Sequence, residues 1–161
     1  MRALKKMLRE LGGEHVLKFR FLRMDGRTSH YLVFVSKAFL GCHIMRNVMA
    51  DASSRKDADG VASFEYDPHL AAQPTLGLLE DGRLKWLKDK IIEDCGGKTF
   101  TVKLLYESHS RDRRFTFSNY QDALRQLESN KRVKVTRPSG RLIYNGTPTM
   151  PNNAVVKILA P

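Results

Sequence analysis

Two adjacent stretches decide the reading: Ser118-Asn119-Tyr120-Gln121-Asp122-Ala123-Leu124-Arg125-Gln126-Leu127-Glu128, and then Arg132-Val133-Lys134-Val135-Thr136-Arg137. In the first, Tyr120, Leu124 and Leu127 recur at helical spacing, helped by Ala123, and form one apolar stripe. Ser118 with Gln121 three residues on has the pattern of a capping box, so a helix is expected from Ser118. The second stretch alternates basic and apolar residues, as a half-buried strand does. Pro138-Ser139-Gly140-Arg141 is a turn, and Ala154–Leu159 makes a final strand after a Pro/Gly/Asn-rich loop.

Upstream, Leu84, Leu87, Ile91 and Cys95 mark a helix that Gly96-Gly97 ends. Thr101 can N-cap a second helix, from Val102 to about Ser110. Three helices followed by a hairpin is the order of a winged helix.

The front of the chain has a different rhythm. Leu4, Met7, Leu8 and Leu11 line one face of a helix that Gly12-Gly13 stops. Leu17, Phe19 and Phe21 alternate with Lys18 and Arg20 in a strand. Asp25-Gly26 turns the chain back through the apolar run Tyr31-Leu32-Val33-Phe34-Val35. Residues 38–50 read as a helix with apolar groups at 41, 44, 45, 48 and 49. The polar run 51–60 reads as a mobile loop, Phe64-Glu65-Tyr66 as a short strand, and the segment through Pro74-Thr75 as a connection. The fold class expected is α+β: a small antiparallel hairpin with helices over 1–75, then a winged helix-turn-helix over 76–161. A hairpin sheet of two or three strands leaves its edges open. Its own helices, the winged helix or another chain must therefore cover it, and a homo-oligomer is one such solution.

Charge points to function. The chain of 161 residues carries a net charge of +11. From Lys98 onward 12 Lys/Arg stand against 4 Asp/Glu; before it the two signs nearly balance, at 16 against 13. Such a field attracts polyanions. The helix from Ser118 is the candidate reading element, expected to turn Asn119, Gln121, Asp122, Arg125 and Gln126 outward. Asn and Gln suit adenine edges and Arg suits guanine. Ser118 and the free N–H groups at the helix start can hold a phosphate. Arg111, Arg113 and Arg114 before the helix, and Lys131, Arg132, Lys134, Arg137 and Arg141 on the wing, are the candidate phosphate contacts. DNA is favoured over RNA because no cluster of exposed aromatics offers bases a stacking platform. Phe115 and Phe117 are expected to anchor the helix start in the core instead. The competing reading of the same charge is a protein-binding adaptor or a phage-type inhibitor that meets an acidic partner.

Catalytic signals are weak. The five histidines (His15, His30, His43, His69, His109) show no ligand spacing, and Cys42 and Cys95 form no CxxC. Neither Gly-Gly pair fits a phosphate loop, so no cofactor, no metal and no enzymatic activity are expected. No apolar run is long enough to span a membrane and no secretory leader follows the basic N-terminus, so no membrane association and a cytoplasmic protein are expected.

Two stretches also carry a family resemblance. They are Tyr31–Lys37 with Gly41, Ile44-Met45 and Met49, and Tyr120–Glu128 leading to Val133-Lys134-Val135, Gly146-Thr147 and Pro151-Asn152-Asn153-Ala154. Together they resemble the C-terminal part of the three-Cys-motif partner proteins of bacteria and phages. That resemblance implies a methyltransferase-like α/β domain followed by a winged helix, with residues 15–35 as the last two strands of its sheet. It also implies a separate protein partner of the three-Cys-motif type. Full members are longer, and the Gly-rich strand–turn–helix that would hold the methyl donor has no counterpart in these residues. Methyl transfer is therefore not expected of these residues alone, and a degenerate or partner-completed methyltransferase is a third reading.

Overall fold

A computed structural model describes residues 2–72, 82–138, 143–144 and 146–159. The chain divides into two compact units. One comprises residues 1–81 with 111–116, the other 82–110 with 117–161.

In the first unit, helix α1 (Arg2–Glu10) precedes the hairpin β1 (His15–Leu22) and β2 (Thr28–Ser36). The hairpin runs antiparallel, with Leu17 opposite Phe34 and Phe19 opposite Leu32. Gly26 takes the positive φ of +74° that the turn requires. Gly13 is needed for another reason: a Cβ there would stand 2.4 Å from a Val35 methyl and 2.8 Å from the Leu8 carbonyl. Helix α2 (Phe39–Asp51) lays Cys42, Met45, Met49 and Ala50 on the sheet, where they join Leu17, Phe19, Phe34 and Phe64 in one core. Its apolar residues in fact form two faces, since Leu40, Ile44 and Val48 are exposed on the other side. Strand β3 (Glu65–Tyr66) pairs parallel to β1, which gives the sheet order β2-β1-β3 and leaves β2 as an edge. Glu65 receives Arg20 of β1 at 2.5 Å. The short α3 (Pro68–Ala72) follows.

The polar run 51–60 is more ordered than its composition suggests. Asp57 is buried, its carboxylate accepts the Val61 N–H at 2.7 Å, and Lys56 bridges to Ala62. An Asx-type bond of this kind closes a turn that composition alone reads as open.

The second unit holds α4 (Arg83–Cys95), β4 (Thr99–Thr101), α5 (Val102–His109) and α6 (Phe117–Ser129), then β5 (Val133–Thr136), β6 (Ile143–Tyr144), β7 (Thr147–Pro148) and β8 (Val155–Ile158). The Thr101 hydroxyl accepts the Leu104 N–H at 3.1 Å, the expected N-cap. Strand β4, just before it, was not legible as a separate element. Three residues are too few to show alternation, and the pairing partner lies more than fifty residues away in β8. The main sheet of this unit runs β4-β8-β5, antiparallel throughout, while β6 and β7 form a separate small ribbon.

Leu84, Leu87, Ile91, Leu105, Tyr120, Leu124 and Leu127 from the helices, with Val156 and Ile158 from the sheet, are buried. Tyr106 and Tyr120 meet edge to face, and the Tyr120 hydroxyl bonds the His109 ring at 2.8 Å. The two helical stripes seen in the sequence, Leu84/Leu87/Ile91 and Tyr120/Leu124/Leu127, are thus walls of this core.

Candidate nucleic-acid interface

Helix α6 begins at Phe117, one residue before the expected cap. Ser118 therefore lies inside the first turn and not at the N-cap. Gln121 donates its side-chain N–H to the Met150 carbonyl at 2.7 Å. The carbonyl of a distant loop outcompetes the local cap because that buried acceptor needs a donor.

The outward set on α6 is correspondingly smaller than expected. Asn119 is buried, beside Tyr120, and does not face out. Residue 119 stands four before Ala123, so the helix turns it onto the buried stripe. Ser118 and Gln126 are exposed, while Gln121, Asp122 and Arg125 are half-buried. Arg125 binds Asp122 at 2.6 Å and the Pro148 carbonyl at 3.0 Å, and Gln126 accepts Lys88 at 2.6 Å. The polar side of the helix is largely bonded to the protein itself.

The cations beyond the helix divide into three groups. Arg137 grips Glu128 of α6 through both terminal guanidinium nitrogens, one at 2.7 Å, and donates its Nε–H to the Thr149 carbonyl at 2.7 Å. The bond to Glu128 raises its already high pKa further. This arginine closes the wing onto α6 and is not poised for a phosphate, contrary to the sequence reading. Lys131, Arg132 and Lys134 are exposed, as that reading requires. Arg141 lies outside the described residues.

Arg111, Arg113 and Arg114 belong by packing to the first unit, although they lie next to α6 in the chain. Arg114 donates to the Ser63 carbonyl at 3.0 Å, and Arg111 stands 4.0 Å from Glu14. Sequence adjacency to the helix start was the whole basis for grouping them with it. The described structure gives Arg111 and Arg114 partners in the hairpin unit.

One cation was missed. Lys157 of β8 is exposed and sits directly opposite Lys134. The alternation Val155-Val156-Lys157-Ile158 was the available signal, because it puts Lys157 on the face away from the core.

The arrangement is thus three helices, the last two joined through a turn, backed by a three-stranded antiparallel sheet. Residues 65–140 match the family model described as a GMT-like wHTH domain. The C-terminal part of the chain carries a winged helix-turn-helix domain. The match begins at β3 and stops in the wing, so it does not include β8, the central strand of the winged helix-turn-helix sheet. No curated protein and no solved structure matches the chain. Among the described residues no helix is long and apolar enough to cross a membrane, and no group of His, Cys, Asp and Glu is placed to hold a metal ion.

Proposed function

We propose that this chain is a non-catalytic nucleic-acid-binding protein whose winged helix-turn-helix domain holds duplex DNA through α6 and the basic residues beside it. The observation that carries the reading is the exposed cationic run Lys131, Arg132 and Lys134 that follows directly on the helix of a winged helix-turn-helix. Helix α6 would lie in the major groove with Gln126 and Arg125 toward base edges, Ser118 at its start near a phosphate, and the run on the backbone. Arg125 must exchange its Asp122 contact for a base, which is a modest cost for a half-exposed pair.

In the first unit Cys42 is poorly suited to act as a nucleophile. Burial pushes the Cys42 thiol above its ordinary pKa, which keeps it in the unreactive protonated form.

The test is duplex affinity across a salt series. A steep linear fall of log K with log salt is expected, and absence of binding at about 50 mM salt would sink the reading. Arg125→Ala should then lower sequence preference more than overall affinity.

One observation favours a second reading, an adaptor for an acidic protein. The bonds that tie Gln121, Arg125 and Gln126 leave α6 few side chains to read bases with. A three-Cys-motif type partner, as the family resemblance implies, belongs to this version. Stoichiometric capture of such a protein in nuclease-treated extract, with no duplex binding, would select it.

A further inference from the structure

The outer face of the β4-β8-β5 sheet carries a charge pattern that folding alone disfavours. Its register sets Lys134 of β5 opposite Lys157 of β8, and Thr99 of β4 opposite Lys157 on the other side. Both lysines are exposed. Arg132 lies two residues before Lys134, hence on the same face, and stays in the ladder because its carbonyl accepts the Leu159 N–H at 3.0 Å. Thr101 and Thr136, each opposite Val155, complete the face. The alternate residues Val133, Val156 and Ile158 are buried beneath it.

Like charges placed directly across a ladder repel. Elsewhere in the chain the cations are commonly neutralised: Arg20 by Glu65, Lys90 by Glu93, Lys103 by Glu107, and Arg137 by Glu128. On this face the described residues offer Arg132, Lys134 and Lys157 no ion pair, and strands β4, β5 and β8 contain no carboxylate. Three cations and three threonine hydroxyls thus share one surface with nothing anionic in it.

We infer that this face is a phosphodiester-binding surface, which engages the DNA backbone independently of the side chains of α6. This rests on the nucleic-acid reading above and deepens it, because the phosphate contacts extend from the run at 131–134 across the sheet to Lys157 and the threonines. The spacing suits a row of phosphates. Residues two apart on a strand lie about 7 Å from each other, and directly opposed residues have Cβ atoms about 5 Å apart. The lysine pair can converge on one phosphate while Arg132 takes the next. The threonine hydroxyls donate to the remaining oxygens. The face presents no aromatic ring, so bases have nothing to stack on, and the contact is indifferent to sequence.

The experiment is fluorescence anisotropy of the full chain on a duplex of arbitrary sequence, over a range of KCl, with the double variant Lys134→Gln/Lys157→Gln. Losing two phosphate contacts should flatten the log K against log salt slope by roughly two units and lower affinity at least tenfold at low salt. The thermal midpoint should not fall, since a repulsion is removed. Lys134→Arg/Lys157→Arg should keep the slope. The paired control Lys90→Gln/Lys103→Gln should leave the slope unchanged. Equal flattening by that control would mean net charge alone is felt, and would overturn the inference. So would an unchanged slope in the Lys134→Gln/Lys157→Gln variant while wild type binds, and in that case the broader reading would stand. Wild type that binds no duplex at any salt would overturn both.

Discussion

The polar side of α6 and the outer face of the winged sheet make an instructive pair. Both belong to the same unit, and both carry residue types suited to nucleic acid. On the helix nearly every such group is already in use: Gln121 on Met150, Arg125 on Asp122 and Pro148, Gln126 on Lys88. On the sheet Arg132, Lys134 and Lys157 have no such ties among the described residues, and two of them repel each other. Residue type therefore says what a side chain could hold, while its bonding says whether it is still available to do so. A group tied to its own protein must surrender a bond to bind. An unpaired cation in a repulsive pair gains twice, from the new contact and from relief of the old strain.

This comparison can be broken at its strongest point by Arg137→Ala. Truncation leaves Glu128 half-buried without its guanidinium partner and removes the Arg137 bond to the Thr149 carbonyl, so a loss of about 2–3 kcal/mol in unfolding free energy is expected. The check is denaturant unfolding of the variant, with the double variant Arg137→Met/Glu128→Leu recovering most of the loss. Unchanged stability with weakened duplex binding would instead return Arg137 to the phosphate contacts.

A smaller effect is expected at Gln121. Gln121→Ala strips the buried Met150 carbonyl of its donor and should cost about 1 kcal/mol, read as a lower urea midpoint. If the same change altered sequence preference at constant stability, the helix would be freer to read bases than its bonds imply.

Lys134→Gln sharpens the other side. Removal of one of two facing charges should raise stability by a few tenths of a kcal/mol while weakening DNA binding, and opposite signs in the two assays would mark a group kept for a ligand.

The hairpin unit supplies a control on pH. Burial first, then neighbouring arginine charge, lowers the pKa of His15 below 6.5, and the same causes lower that of His43. The unfolded chain takes up protons on both rings from about pH 6.5 downward, whereas the folded unit resists until lower pH. Stability from these groups is therefore full above pH 6.5 and falls as the solution is acidified below it. Thermal unfolding between pH 8 and 5 checks this. His15→Phe should shrink the dependence, since Phe keeps the edge-to-face contact with Phe39 without a titrating ring.

Much of the fold was legible because it rests on local periodicity. The stripes Leu84/Leu87/Ile91 and Tyr120/Leu124/Leu127, the Thr101 cap and the Asp25-Gly26 turn each declare themselves within a dozen residues. The separate β4 and the ordered turn at Asp57 did not, since the first is defined by a partner far along the chain and the second by a side chain turned onto its own backbone. The site was less legible than the fold. Arg111, Arg113 and Arg114 were grouped with α6 by adjacency, and Asn119 and Arg137 by residue type. Packing assigns the three arginines to the hairpin unit, the stripe buries Asn119, and hydrogen bonding ties Arg137 to Glu128.

By itself, the sequence determined that the chain has a basic C-terminal part and a three-helix, winged order within it, because charge sums and apolar spacing need no knowledge of distant contacts. Which cations remain open to a polyanion was decided only by the tertiary structure. An ion pair such as Arg137 with Glu128, or a repulsive pair such as Lys134 with Lys157, arises when folding brings together groups that the sequence holds apart.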